Sequence, residues 1–133
     1  MSCISHGDLC LTELDHVRIT KLLAGQRSSP FHALLEVADI VAPTEVDPDV
    51  VTLYSQISVR DDGSGELFKI TLCYPHDSEP SSGFISVLSP VGLALLGRRV
   101  GSTSGWTLPS GEQRRLTIVE LLFQPEASGD YSL

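Results

Sequence analysis

From Val50 onward, apolar and polar residues alternate along the chain. Val51, Leu53, Ile57 and Val59 fall on one side, Thr52, Tyr54, Gln56, Ser58 and Arg60 on the other. This is the period of a strand with one buried face. Upstream the period is different. Phe31, Leu34, Leu35, Ala38 and Val41 recur at i, i+3, i+4, i+7 and i+10, the stripe of a helix packed on one side. Ser29 as N-cap and Pro30 at the first helical position would start that helix, and Pro43 would end it. An earlier helix is expected over residues 12–24. Thr12-Glu13-Leu14-Asp15 offers a capping box, Arg18 and Lys21 follow toward the C-terminal end, and Gly25 stops the run. Leu11, Leu14 and Leu22 form its stripe, widened by Val17, Ile19 and Leu23. Residues 1–11 carry no period and read as an arm. Two helices joined by Gly25-Gln26-Arg27-Ser28-Ser29 predict a short antiparallel helical hairpin, about 18 Å long. The linker over residues 42–49, with Pro43 and Pro48 among Glu45, Asp47 and Asp49, divides the chain into residues 1–45 and 46–133. No strand is expected before residue 45.

After the first strand, Asp61-Asp62-Gly63-Ser64-Gly65 reads as a hairpin turn, and a second strand should bury Phe68, Ile70, Leu72 and Tyr74. A polar loop over residues 75–83 leads to a third strand over 84–88. The next stretch, Ser89-Pro90-Val91-Gly92-Leu93-Ala94-Leu95-Leu96-Gly97-Arg98-Arg99-Val100-Gly101, is punctuated by one proline and three glycines. It reads as a loop, about one and a half turns of helix, a glycine stop and a tight turn. Residues 104–108 and 114–123 form a last hairpin around Pro109-Ser110-Gly111. The order of elements predicts an α+β fold: a short N-terminal antiparallel helical hairpin, then a curved antiparallel sheet around a short helix.

Charge narrows the function. Nine basic residues against seventeen acidic ones leave a net charge of -8, which excludes sequence-independent binding to nucleic acid, since that affinity comes from cations on phosphates. A basic protein surface is the better partner. With 133 residues the chain can bury one modest core. Cys3, Cys10 and Cys73 occur without a signal peptide or an apolar run near membrane-spanning length, so the expectation is a soluble, reduced, cytoplasmic protein with no disulfide framework and no membrane partner.

Candidate chemistry changes this picture little. Gly101-Ser102-Thr103-Ser104-Gly105 fails as a nucleophile elbow because threonine stands where serine is required. Cys73, His76 and Asp77 lie close in sequence, but a strand followed by a loop gives no nucleophile geometry. Cys3, His6 and Cys10 lack a second ligand pair at zinc spacing, and the acids of residues 61–65 lack the calcium-loop pattern. No phosphate-binding glycine motif is present. No catalytic residue, metal, cofactor or small-molecule substrate is therefore assigned. Arg98-Arg99 with Arg114-Arg115 is the one basic cluster, and Trp106 reads as a packing residue.

Ser89-Pro90-Val91-Gly92, Leu95-Leu96-Gly97, Val100-Gly101 and the late Pro109-Ser110-Gly111, with Val50-Val51-Thr52-Leu53 opening a strand and Ile85-Ser86-Val87 before the loop, resemble the C-terminal domain of the bacterial GreA/GreB transcript-cleavage factors. The ending Phe123-Gln124-Pro125-Glu126-Ala127-Ser128-Gly129-Asp130-Tyr131 resembles the sub-family named Rnk, regulators of nucleoside diphosphate kinase. The resemblance implies an FKBP-like fold that docks on RNA polymerase at the rim of its secondary channel. It places Leu88, Ser89, Pro90, Val91 and Gly92 in that contact, with Arg98 and Arg99 as the neighbouring basic edge. Leu88 stands where Gre factors usually carry an aspartate. The resemblance also makes residues 1–45 a truncated form of the Gre coiled coil. The expected tip has Arg27 and no carboxylate to help hold magnesium, so the implied protein modulates transcription without stimulating transcript cleavage. Two other readings stand beside it: an adaptor for another protein, including the kinase itself, and a peptidyl-prolyl isomerase, which would need an aromatic-lined pocket.

Overall fold

The computed structural model describes residues 9–24 and 31–129. Strand β1 (Cys10–Thr12) runs directly into helix α1 (Glu13–Leu22). Thr12 is the N-cap, as its position before Asp15 predicts: its Oγ1 accepts the Asp15 N–H at 3.0 Å, and Glu13 and Asp15 occupy the first turn. Helix α2 (Phe31–Val37) follows. Its expected start at Ser29 and Pro30, and the connection over residues 25–29, lie outside the described residues.

α2 does not reach Val41 as its stripe predicts. Ala38 N–H makes the last helical bond, to Leu34 O at 3.0 Å, and Asp39 N–H turns instead to Leu9 O at 3.0 Å. Strand β2 (Asp39–Val41) then pairs in parallel with β1, Cys10 opposite Asp39 and Thr12 opposite Val41. The β-branched pair Ile40-Val41 suits that pairing better than another helical turn. Strands before residue 45 therefore exist, against expectation, and Cys10 and Leu11 are buried rather than part of a loose arm. Cys10 is disulfide-bonded and Cys73 is a buried free thiol. This corrects the expectation of three reduced cysteines, because spacing along the chain carries no information on which thiols the fold brings together.

The main sheet holds β3 (Gln56–Asp61), β4 (Leu67–Cys73), β5 (Phe84–Ser86), β6 (Thr103–Thr107) and β7 (Gln113–Phe123), in the order β5-β4-β3-β7-β6. Its neighbours are antiparallel except β4 and β5, which pair in parallel with Thr71 opposite Phe84. The all-antiparallel expectation is corrected there. Two 3-10 turns, Pro75–Asp77 and Pro80–Ser82, carry the chain back to the middle of β4 before β5 begins. β7 meets β3 with two register shifts, so Val119 and Leu122 have no counterpart on β3.

Residues 50–55 alternate like a strand but are not one. Ser55 N–H donates to Thr52 O at 3.0 Å, and Thr52 N–H donates to Ser55 Oγ at 2.9 Å. Tyr54 sits at φ 65°. Both alternating sets are buried there, Val50, Val51 and Leu53 together with Thr52 and Ser55, so the period marks a packed turn. On β4, burial rises toward the Cys73 end. Phe68, opposite Val59 near the hairpin turn, is 43% exposed against its expected burial. The turn at 61–65 forms as read, with Asp61 Oδ1 accepting the Gly63 N–H at 2.8 Å.

One apolar cluster ties the described residues together. Leu11, Ile19, Phe31 and Leu34 share it with Val51, Leu53, Ile57, Leu95 and Ile118. Core residues thus stand on both sides of the linker at 42–49. No described helix is long and apolar enough to cross a membrane.

Candidate docking surface

Helix α3 (Pro90–Leu95) packs against β5 and β6. Its entry is built from bonds between near neighbours. Ser89 is extended at φ -77°, ψ 165°, as a residue before proline should be. Its Oγ accepts the Gly92 N–H at 3.1 Å and donates to Ser86 O at 2.7 Å. Leu88 N–H donates to Ser86 Oγ at 3.2 Å. Pro90, at the first helical position, is exposed, while Leu88 and Val91 are half-buried against the core. Residues 88–92 thus form one continuous, fixed stretch.

Gly92 does not leave room for a partner. A Cβ there would lie 2.1 Å from Val87 O, so the space is taken by the chain's own backbone and Gly92 is buried. Gly97, at φ 79°, stops the helix and packs its backbone against β1: Cys10 N–H donates to Gly97 O at 2.9 Å, and Gly97 N–H to Val51 O at 2.9 Å.

The two arginine pairs do not make one basic patch. Arg99 is held by Asp49 at 2.8 Å and Asp47 at 3.0 Å, so it pins the linker. Arg114 pairs with Asp61 at 3.4 Å. Arg98 lines a groove of about 410 Å3 between α3 and β6, with Pro90, Leu93, Ala94, Ser104 and Trp106. Arg114 and Arg115 line an adjoining hollow that shares Gly105 and Trp106 with it. Trp106, expected only as a packing residue, is half-buried between the two. The sequence offered no signal for Ser104.

A second polar constellation was also missed. Asp15 is fully buried; its Oδ2 accepts the Leu53 N–H at 3.0 Å, and Arg18 Nη1 lies 3.3 Å from its Oδ1. Burial pushes its carboxyl up to about 7, helped by nearby Glu126 and opposed by the Leu53 N–H and Arg18. Glu126, also buried, accepts the Thr52 hydroxyl at 2.7 Å. Gln124 Nε2 donates to Asp47 O at 2.9 Å and Val50 O at 2.8 Å. The Gln124-Pro125-Glu126 string therefore fastens residues after β7 to the linker end at Asp47 and Val50 and to the 52–55 turn.

Nucleophile chemistry finds no support at Cys73. Its thiol is raised by burial and by Asp77, which disfavours the thiolate, and its Sγ donates to Ile85 O at 3.6 Å. Tyr54, in contact with Asp77, is pushed up to about 12, mainly by burial. Of the Cys3, His6, Cys10 set, the first two lie outside the described residues. Among the described residues no three metal-ligating side chains cluster.

Residues 37–122 match the family described as transcription elongation factor GreA/GreB, C-terminal. The Escherichia coli K12 protein named "Regulator of nucleoside diphosphate kinase" is 39% identical over 98% of this chain and 100% of its own length. A GreA transcription elongation factor of Chlorobium phaeobacteroides is 34% identical over 81% of this chain and 69% of its own. Among solved structures, the GreA/GreB transcription elongation factor from Nitrosomonas europaea superposes with a TM-score of 0.71 at 38% identity, covering 87% of this chain and 98% of that one.

Proposed function

We propose that this chain, which belongs to the GreA/GreB C-terminal-domain family of transcription elongation factors, is a cytoplasmic regulator that docks on RNA polymerase through residues 88–92 and does not stimulate transcript cleavage. The observation that carries this reading is the fixed entry to α3. Ser89 is held extended by two hydrogen bonds of its own hydroxyl, and Pro90 is presented to solvent. Little entropy is lost when such a stretch meets a partner. Leu88 in place of an acid puts apolar contact and shape ahead of charge in the affinity, while the net charge of -8 speeds encounter with a basic rim. Residues 1–45 then stand where a cleavage factor has its long probe, and residues 46–133 supply the docking body. No catalytic step is assigned to it.

Titration of the protein against core polymerase tests the reading. Because Ser89 caps α3, Pro90→Arg is the cleaner variant. It should keep the circular dichroism of the parent and weaken binding by about 2 kcal/mol or more, the scale of a hot spot. Equal affinity in the folded variant moves the interface elsewhere. Added to a backtracked polymerase with magnesium, the protein should leave the cleavage rate unchanged.

The name of the Escherichia coli relative, matched over almost the whole chain, favours a second reading: an adaptor that binds nucleoside diphosphate kinase. The same immobilised protein, offered purified kinase and purified polymerase separately, tells the two apart.

A further inference from the structure

β6 is the outer strand of the main sheet and bonds to β7 alone. Ile118 N–H donates to Ser102 O at 2.9 Å, and Leu108 N–H donates to Glu112 O at 2.8 Å. With Ser104 opposite Leu116 and Trp106 opposite Arg114, these two bonds fix the alternation of the ladder between them. Thr103, Gly105 and Thr107 therefore turn their N–H and C=O groups away from β7. Among the described residues no backbone group takes them up.

The groove between α3 and β6 borders this edge. Its apolar surface comes from Pro90, Leu93, Ala94 and Trp106. Two residues that line it, Arg98 and Ser104, each carry a buried polar atom, Nε and Oγ, with no hydrogen-bond partner among the described residues. Buried polar atoms in folded proteins are nearly always satisfied, and here two orphans belong to residues, one after α3 and one on β6, that border the same groove. Arg18, Arg60, Arg99 and Arg114 each lie beside a carboxylate. Arg98 has none among the described residues. Arg114, in the adjoining hollow, is already paired with Asp61, so the charge that this groove offers is that of Arg98.

We propose that this groove takes an extended peptide segment, which adds to β6 through Thr103, Gly105 and Thr107 and sets a carboxylate side chain on Arg98. The free edge supplies main-chain bonds of strand addition. Alternate side chains of the segment reach Leu93, Ala94 and Trp106, and an acid satisfies the arginine in a partly desolvated place where a charge-assisted bond is strong. The inference shares Pro90 and Arg98 with the polymerase reading but does not depend on it, because the occupant is defined by its backbone and its acid.

Trp106 is the sole tryptophan and reports directly on the groove. The probe is a capped peptide, about seven residues long, alternating valine and threonine about a central glutamate. Titrated into the full chain, it should give a saturable change in Trp106 emission. Replacing the glutamate by glutamine should weaken binding about tenfold, and the variant Arg98→Gln should erase that difference. Two further peptides carry N-methyl groups on alternate residues in opposite phase. One phase should abolish binding and the other leave it, since only one edge of the added strand meets β6. No saturable change up to about 1 mM peptide, equal behaviour of the two methylated phases, or a glutamate preference that survives in Arg98→Gln would each overturn the proposal. None of these outcomes bears on polymerase binding, which the core-polymerase titration reads separately.

Discussion

The entry to α3 and the node around Asp15 both satisfy polar groups within the fold, but by opposite means. At α3 the bonds join residues two or three apart: Ser86 with Leu88, Ser86 with Ser89, and Ser89 with Gly92. At the node they join residues 38 and 74 positions apart, Asp15 with Leu53 and Thr52 with Glu126. A local constellation closes a small loop and costs little entropy to form. One assembled from three distant segments forms only when the whole chain is in place. The first should therefore behave as a preset part, while the second should report on the integrity of the entire fold.

The largest effect should break the local side of this contrast by steric force. Gly92→Ala would put a methyl group 2.1 Å from Val87 O, a backbone atom fixed by Val87 N–H donating to Cys73 O at 2.8 Å. Urea unfolding should show a loss of more than about 4 kcal/mol. Next comes the pH response of the node. The Asp15 carboxyl is raised from 3.8 to about 7, so the native state holds a proton that the unfolded chain releases between those values. Its contribution is fully present below pH 3.8 and is lost as pH rises through about 7, as much as about 4 kcal/mol in all. Other carboxylates pull the other way, so the observable is the difference between the parent and Asp15→Asn. The variant should lack this decline when stability is measured by denaturant from pH 4 to 8, and parallel curves would show that Asp15 is ionised in the native state. The smallest effect sharpens the comparison from the local side. Ser89→Ala removes the cap of α3 and should cost about 1 kcal/mol, with no change in the pH dependence just described.

The same contrast explains what the sequence reveals. The cap at Thr12, the turn at Asp61, the proline entry to α3 and the glycine stop at Gly97 are all written in residues a few positions apart, and all form. Features decided by pairing between distant segments are not legible. Val41 continues a helical stripe but is claimed by Thr12. Thr52 and Ser55 alternate with apolar residues but face each other across a closed turn, their hydroxyls 2.7 Å apart. Phe68 has the right parity for burial but lies on the end of β4 that stays exposed. Asp15 read as a first-turn acid for a helix dipole, and only the fold shows its carboxylate turned inward onto Leu53. The backbone of residues 88–92 was legible because proline and glycine fix it locally, but the burial of Gly92 against Val87 was not. The groove beside them was not, since Ser104 and Trp106 gain their meaning from bordering it together with Arg98.

The two bulges of β7 give the strand a frame, much as codons do. Leu116 and Ile118 point inward at even positions. After Val119 the inward set shifts to odd, with Leu121 against the core and Glu120 exposed, and after Leu122 it returns to even, bringing Gln124 inside. Loss of a bulge residue would remove its bulge and keep the later side chains on their faces, whereas loss of a paired residue would turn every later side chain over, so Gln124 could no longer meet Asp47 and Val50. The placement of Gln124 is thus set by counting as much as by contact.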